Sequence, residues 1–342
     1  MASDLSNFII PQAFTPYVLE QSTLKNALLR SGIVSVNPVM NARLDAAGDI
    51  TSILTFKNLD TSSTAANASS SDPTVKATAE TITGHKQNMV RIGRNKVWSA
   101  ADWDASVLGQ DPMAYVGASV SDAVIKWRNT TLSSILTGTV NTTVAAGNVL
   151  DVHTSGTAGS YTSAQQINAG NLGAAIIDAW GDYGVRDMVT FDTAIFMHPD
   201  TYAFLTKTDY TSFQRQSVQE YGFTTYLGMP VFVDSTLPKV ALGGSAGYEY
   251  TTYFVKQGAI NFGYSTPKNA TKLWYDITAG NGAGVEYLAQ RDNFSFHING
   301  FSFVGTMAGD TPTDTELATA SNWSQVFQAK QTGVAALVHN LA

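Results

Sequence analysis

The run from Asp111 to Gly138 restricts the fold more than any other segment. Asp111 is a good N-cap, and Pro112 suits the first helical position, where its missing N–H costs nothing. Met113, Val116, Val120, Val124 and Trp127 recur at three- and four-residue steps, and Gly138 supplies a stop. The spacing predicts one helix over 111–137, a rod of roughly 39 Å at 1.5 Å per residue. That is long for a globular helix. Its apolar pattern buries one face, not two.

The rest of the chain reads as shorter pieces around this rod. Residues 1–45 form an arm-like start, broken by Pro11, Pro16 and Pro38, with a short helix from Tyr17 to Arg30 whose Leu19, Leu24, Leu28 and Leu29 make an apolar face. Residues 48–98 read as an extended β-excursion. Ile50, Leu54 and Phe56 mark its outgoing run, and Met89, Val90, Ile92 and Val97 its return. Between them the tract from Asp60 to Pro73 is Ser-, Thr-, Ala- and Asn-rich, a loop by composition. Loops of this length in a compact protein are usually functional or flexible.

After a polar connection over 139–162, a second helix is expected over 163–183, opening at Ser163. Strand 193–198, helix 199–207, a polar loop 208–224 and strand 229–234 follow, giving a small α/β region. From 250 the chain is β-rich, with Phe294, Phe296 and Ile298 alternating with Ser295, His297 and Asn299. That alternation puts His297 on a polar strand face. The aromatics reverse parity after Gly300, which predicts a bulge or tight bend. Residues 308–342 read as a polar tail with a short helix around Trp323 to Ala329.

Composition narrows the function. With 44% hydrophobic and 11% aromatic residues the chain can bury a core. Only 14% of residues are charged, and Ser, Thr, Ala, Gly and Asn fill the deficit. Such surfaces suit large contacts, because a hydroxyl costs less to desolvate than an ammonium or carboxylate. The net charge is −7, with nine Lys/Arg against seven Asp/Glu in residues 1–100 and eleven against twenty beyond. This argues against a dedicated nucleic-acid reader, which carries a basic domain or stripe. There is no cysteine, so disulfides, thiolate nucleophiles and cysteine-based zinc sites are excluded. The first residues lack a basic n-region and an apolar h-region, and no stretch approaches the roughly 20 apolar residues of a bilayer span. No secretory signal or membrane partner is expected.

Motifs for chemistry fail on context. Gly243-Gly-Ser245-Ala-Gly247 has the nucleophile-elbow spacing, but that mechanism needs a strand before the serine and a helix after it. Here Tyr248 to Tyr253 reads as strand, so a turn joining two strands is expected. Gly280-Asn-Gly282-Ala-Gly284 lacks the dinucleotide-binding spacing and reads as a hairpin turn. His85, His153, His198, His297 and His339 are scattered, with no helical pair to hold a metal. His198, before Pro199, reads as a hydrogen-bonded structural histidine at a strand-to-helix junction. Asp102 with Asp104, and Asp310 with Asp314 and Glu316, read as solvated acids. No catalytic residue, cofactor or metal is assigned. The basic return limb of the excursion reads first as a solvated strand face and second as subunit contact, with Asp60, Lys76, Lys86, Arg91, Arg94 and Lys96 as candidate interface residues.

The order of parts carries a resemblance. Together with the phrases Ile195-Phe-Met-His-Pro-Asp-Thr-Tyr-Ala-Phe-Leu205, Gly228-Met-Pro-Val-Phe-Val-Asp-Ser-Thr-Leu-Pro238, Tyr253-Phe-Val-Lys-Gln-Gly-Ala-Ile260 and Arg291-Asp-Asn-Phe-Ser-Phe-His-Ile-Asn-Gly-Phe301, it resembles the tailed-phage major capsid protein over about residues 45–308. The resemblance implies an α+β fold with an N-terminal arm (1–47), an extended β-loop (48–98) lying over an adjacent subunit, and a spine helix at 111–137. It further implies a peripheral domain (99–162 and 265–308), an axial α/β domain (163–264) and a C-terminal tail (309–342). The implied role is a structural subunit, not an enzyme. Hexamers and pentamers would close into an icosahedral virion shell around double-stranded DNA, contacted without sequence preference and assembled in the host cytoplasm. Scaffold, portal and decoration proteins are the implied partners. The chain starts without a long charged scaffolding segment, so a separate scaffold or prior cleavage is expected. Competing readings are an encapsulin-like compartment, a β-rich hydrolase using Ser245, and a tail or decoration protein.

Overall fold

The computed structural model describes residues 33–46, 48–56, 68–77, 84–103, 112–181, 193–209, 212–215, 224–244 and 247–341. The expected helix over 17–30, the N-cap Asp111, the candidate Asp60 and the serine Ser245 lie outside them. The described chain opens with β1 (Val34–Val36) and helix α1 (Pro38–Asp45), whose N-cap Asn37 accepts from the Val39 N–H. The arm strands β2 (Ile50–Phe56) and β3 (Gly84–Val90) follow, then β4 (Ile92–Ala101) and the long helix α2 (Pro112–Thr139). The helix runs 28 residues, about 42 Å at 1.5 Å each. Gly138 is not its stop. The helix continues to Thr139, and Gly138 is glycine for packing, since a Cβ there would meet the Leu317 carbonyl and the Trp323 indole.

Next come β5 (Val149–Asp151), α3 (Ala169–Trp180), β6 (Thr193–Met197) and α4 (Pro199–Thr208). The second helix thus opens at its N-cap Asn168 and not at Ser163, because the Asn168 side chain accepts the Asn171 N–H and closes the first turn. The loop expected over 208–224 contains β7 (Phe213–Arg215), and β8 (Thr224–Tyr226) and β9 (Met229–Val233) complete a small meander. Strands β10 (Lys239–Ala241) and β11 (Tyr248–Lys256) form an antiparallel hairpin. The β-rich part holds β12 (Ile260–Ser265), β13 (Thr271–Asp276), β14 (Val285–Ile298) and β15 (Phe301–Phe303). A capping-box helix α5 (Asp314–Ala318), β16 (Trp323–Gln325), α6 (Ala329–Thr332) and β17 (Val334–Asn340) end the described chain.

These elements make two principal sheets. One runs β1-β12-β14-β13 with β4 also on β14; the other runs β5-β17-β11-β6-β9-β8-β7 with β10 also on β11. The long helix packs Val120 and Val124 onto Leu288 of the first sheet, flanked by Trp98, Trp127 and Leu273. Its C-terminal half, through Leu132, Ile135 and Leu136, joins the core shared with the second sheet.

The C-terminal segment corrects the polar-tail expectation. All seven residues of β17 are buried, and the strand lies between β5 and β11 inside the second sheet. Central strands covered on both faces read as short continuous apolar runs, and Val-Ala-Ala-Leu-Val is too brief to shift the average of the 35-residue stretch 308–342. Trp323 begins a strand, not a helix, because it pairs with Phe303 of β15. The parity reversal at Gly300 is a tight turn: Gly300 has φ 86°, and the chain leaves β14 to pair with β16.

Candidate assembly interface

The arm strands pair in seven-residue antiparallel register, from Ile50 opposite Val90 to Phe56 opposite Gly84. Side chains alternate across such a ladder. Ile53 packs with Met89 onto Met40 and Leu44 of α1, so one face belongs to the body. The other carries Ile50, Ser52 and Leu54. Leu54 is 79% exposed and stands opposite the exposed Lys86. A large aliphatic side chain left so bare on a strand is unusual enough to ask what covers it.

The root of the arm meets the body through side chains. Gln87, 2% exposed, lies with His297, and its Oε1 accepts the Gly300 N–H at 3.1 Å. That N–H identifies the atom as the amide oxygen, so His297 donates from Nε2 across 2.8 Å. The Asn88 N–H donates to Ser302 Oγ at 3.0 Å, Asn88 Nδ2 donates to the Phe303 carbonyl at 3.1 Å, and Ser295 Oγ donates to the Val90 carbonyl at 2.7 Å. His297 therefore lies on the polar side of β14, as alternation expects, and is buried there because β3 covers that side. Burial lowers its pKa to about 4.

Where α2 crosses the first sheet the anchorage is ionic. Arg128 Nε and Nη2 donate to the two carboxylate oxygens of Asp292 at 2.8 and 2.9 Å, and both side chains are nearly inaccessible. The guanidinium also lies 5.3 Å from the Phe262 ring and 5.8 Å from that of Phe294. Towards the second sheet, Asn129 donates to Asp234 at 2.9 Å and Ser133 to the Thr236 carbonyl at 2.6 Å.

The opposite face of that sheet carries an aromatic patch. Leu288, paired with Leu273 and Trp98, faces the helix, so the register turns Tyr287, Trp274 and Ser99 to the other side, with Ala289, Lys272 and Val97. Trp274 stacks on Tyr287 with ring centroids 5.1 Å apart and remains 40% exposed, and Val97 is 50% exposed.

The candidate interface residues divide. Lys76, Lys86 and Lys96 are exposed, Lys96 sitting 5.9 Å from the Trp98 ring. Arg91 and Arg94 are engaged within the chain. Arg91 donates to the Leu44 and Ala46 carbonyls, and Arg94 pairs with Asp314 at 2.6 Å. Asp314 also accepts from Thr131 of α2, so this acid clamps β4, α2 and α5 and is not merely solvated. Glu316 closes the α5 capping box, and Asp102 accepts from the Tyr275 hydroxyl at 2.8 Å.

The chemical motifs stay structural. Gly243 and Gly244 adopt positive φ in the β10–β11 hairpin, and the strand β11 follows where an elbow needs a helix. His198 caps α4 by accepting the Asp200 N–H at its Nδ1. His339 is buried between Thr252 and Asn340, its pKa lowered to about 4 by burial. Among the described residues no group of three metal-ligating side chains converges, and no helix is long and apolar enough to cross a membrane. Leu54, Gln87 and the Trp274–Tyr287 pair are the residues that sequence reading missed as functional candidates. For the aromatic pair the available signal was the β13–β14 hairpin, whose Gly-rich turn fixes which residues face each other.

No protein-family model matches the chain. The major capsid protein of Bacillus phage SPP1 is similar to it at 30% identity over 341 residues, covering 98% of each chain. Among solved structures, the capsid of Ralstonia phage GP4 matches with a TM-score of 0.56 and 10% identity, over 87% of this chain and 85% of that one. The capsid of cyanophage P-SCSP1u matches with a TM-score of 0.52 and 13% identity, over 91% and 87%. The structural matches speak to the fold alone. Sequence identity sustained over nearly the whole length then settles the family, and the chain belongs to the tailed-phage major capsid proteins.

Proposed function

We propose that the chain builds an icosahedral phage head by laying its β2–β3 arm on the first sheet of a neighbouring copy. As a major capsid protein it is a structural subunit and not an enzyme. The observation that carries the reading is the bare Leu54 face of the arm, together with the uncovered Trp274, Tyr287 and Val97 on the sheet face opposite α2. Burying an aliphatic side chain and two stacked rings supplies the apolar centre of an interface, with Lys86 at its rim.

In this reading the first sheet with α2 is the peripheral domain, and the second sheet is the axial domain that clusters around five- and six-fold axes. By sheet membership the axial part also takes in β5 and β17, and the peripheral part takes in β4 and β12. Hexamers and pentamers then close around double-stranded DNA, which a chain of net charge −7 contacts through scattered cations and without sequence preference. Assembly in the host cytoplasm, with scaffold, portal and decoration proteins as further partners, completes the proposal. Negative-stain microscopy of the purified chain tests it: closed shells or capsomers are expected, and Leu54→Asp should leave only unassembled protein. Shells of normal yield from Leu54→Asp would overturn the arm's role.

A further inference from the structure

We propose that Gln87 is the positioning residue of the arm, holding β3 at a set angle to the body through one amide oxygen shared by His297 and the Gly300 turn. The inference rests on the arm reading above and adds the device that aims it.

Two antiparallel strands joined by a ladder are held by backbone groups at fixed spacing, and the angle between them is not free. The junction of β3 with β14 and β15 is built otherwise. Gln87 Oε1 takes the Gly300 N–H, Ser302 Oγ takes the Asn88 N–H, Asn88 Nδ2 reaches the Phe303 carbonyl, and Ser295 Oγ reaches the Val90 carbonyl. In each of these four bonds a side chain stands where a ladder would put a second backbone group. At this seam the tilt of the arm depends on side-chain rotamers, which occupy a few discrete wells and hop between them, while Arg91 is the single link from β3 to the backbone ladder of β4 on β14.

Gln87 is singled out by geometry. Its Oε1 accepts from two donors at the seam, and both donors are fixed. Gly300 is pinned by its carbonyl, which accepts the Val326 and Phe327 N–H groups at 2.7 and 3.3 Å. His297 is locked within β14 by its register with Asn261. His85, two residues before Gln87 on the same strand face, lies edge-on against Phe327 with centroids 6.0 Å apart, steering the same joint from its outer side. Removing the oxygen leaves two buried donors unpaired, so the arm must tilt to find them new partners. A shell that mixes five- and six-fold environments needs one arm angle per environment, and a seam of rotamers supplies a small discrete set.

The test reads the angle without shells. The chain has no cysteine, so Leu54→Cys and Val304→Cys place two spin labels, one on the arm and one at an exposed body site. Pulsed electron–electron distance measurements on dilute, unassembled protein then give the arm–body distribution. Gln87→Leu is expected to about double its width or split it, and Gln87→Glu, which keeps an acceptor oxygen for both donors, to restore the native width. If Gln87→Leu gives no cooperative thermal transition, Ser302→Ala replaces it and should broaden the distribution in the same sense. An unchanged distribution in the folded variant overturns the proposal. Failure of the unlabelled native chain to form shells would instead count against the arm reading alone, since the distance measurement does not use assembly.

Discussion

The long helix and the arm are fixed to the same strand, β14, by opposite means. At the helix a buried guanidinium and carboxylate meet in a two-pronged pair under two aromatic rings, with apolar contacts on either side. At the arm a neutral amide, an imidazole and two hydroxyls bridge a gap that a strand ladder could have closed. A buried ion pair tolerates little displacement, because separating the charges exposes each to a medium that does not solvate it. A neutral side-chain seam can exchange partners at lower cost. The molecule is stiff where the helix meets β14 and adjustable where the arm does. Both regions are buried and hydrogen-bonded; what differs is the penalty for moving.

Charge placed on the helix side should break the stiff region outright. Val124→Asp puts an unpaired carboxylate against Leu288 at a site 1% exposed, costing about 4 kcal/mol or more, a large share of the stability of a typical domain. Loss of the cooperative thermal transition is expected, and Val120→Asp should behave alike. A normal melting curve for either would show that the helix is not seated on the sheet.

Next in size is the ion pair itself. Asp292→Ala strands Arg128 in the core and should cost about 3–5 kcal/mol, measured by denaturant midpoint. Replacing both partners, Arg128→Met with Asp292→Leu, should recover most of that loss, since well-packed apolar residues often match a buried pair. If the double variant were as unstable as the single one, the pair would be holding the helix by more than charge compensation.

Acid should separate the two regions. His297 and His339 titrate near pH 4 in the folded chain, against about 6.5 when unfolded. Between those values the unfolded chain binds more protons, so stability falls as pH drops from about 6.5 to about 4. The loss amounts to about 1.4 kcal/mol per histidine per pH unit within that window, and about 3 kcal/mol for each by its lower end. His297 sits at the arm seam and His339 inside the second sheet. Amide protection factors over residues 84–90 should therefore fall with acid, and His297→Gln should suppress that fall while leaving the fall over residues 334–340 in place. A fall over 84–90 that persists in His297→Gln would mean that the arm opens only with the whole molecule.

Much of the stiff region was legible in the sequence, and little of the adjustable one was. The helix announced itself through Val120, Val124 and Trp127, whose spacing matches a period that only one secondary structure has. The hairpins around Gly243 and Gly280 were equally plain, because turn chemistry is local. β17 was missed, since a seven-residue strand buried on both faces has no alternation to detect. Arg91, Arg94 and Asp314 show their charges in the sequence but not their partners, which come from segments up to 220 residues away. His297 misled for a related reason: its strand does alternate, yet the arm returns over the polar face and buries it. Long-range cover of this kind leaves no trace in local pattern.

The smallest effect on stability should accompany the largest on assembly. Leu54→Asp changes a side chain 79% exposed, so the isolated chain should lose no more than about 0.5 kcal/mol, read as an unchanged denaturant midpoint. Its partner site should behave in the same way: Trp274→Asp removes a stacked ring from an open sheet face and should lower stability only modestly. In an interface, however, either carboxylate would be buried opposite an apolar surface, and the penalty repeats at every subunit contact around a shell. Mixing the two variants should restore at most alternate contacts, because the intact arm of the Trp274→Asp chain meets the intact face of the Leu54→Asp chain, while around a closed ring each such contact is matched by one in which two carboxylates meet. Introducing opposite charges, Leu54→Asp with Trp274→Lys in one chain, should recover part of the lost association at low salt and lose it again as salt screens the pair. Recovery that ignores salt would mean the two residues do not meet, and the arm would have to seek another surface.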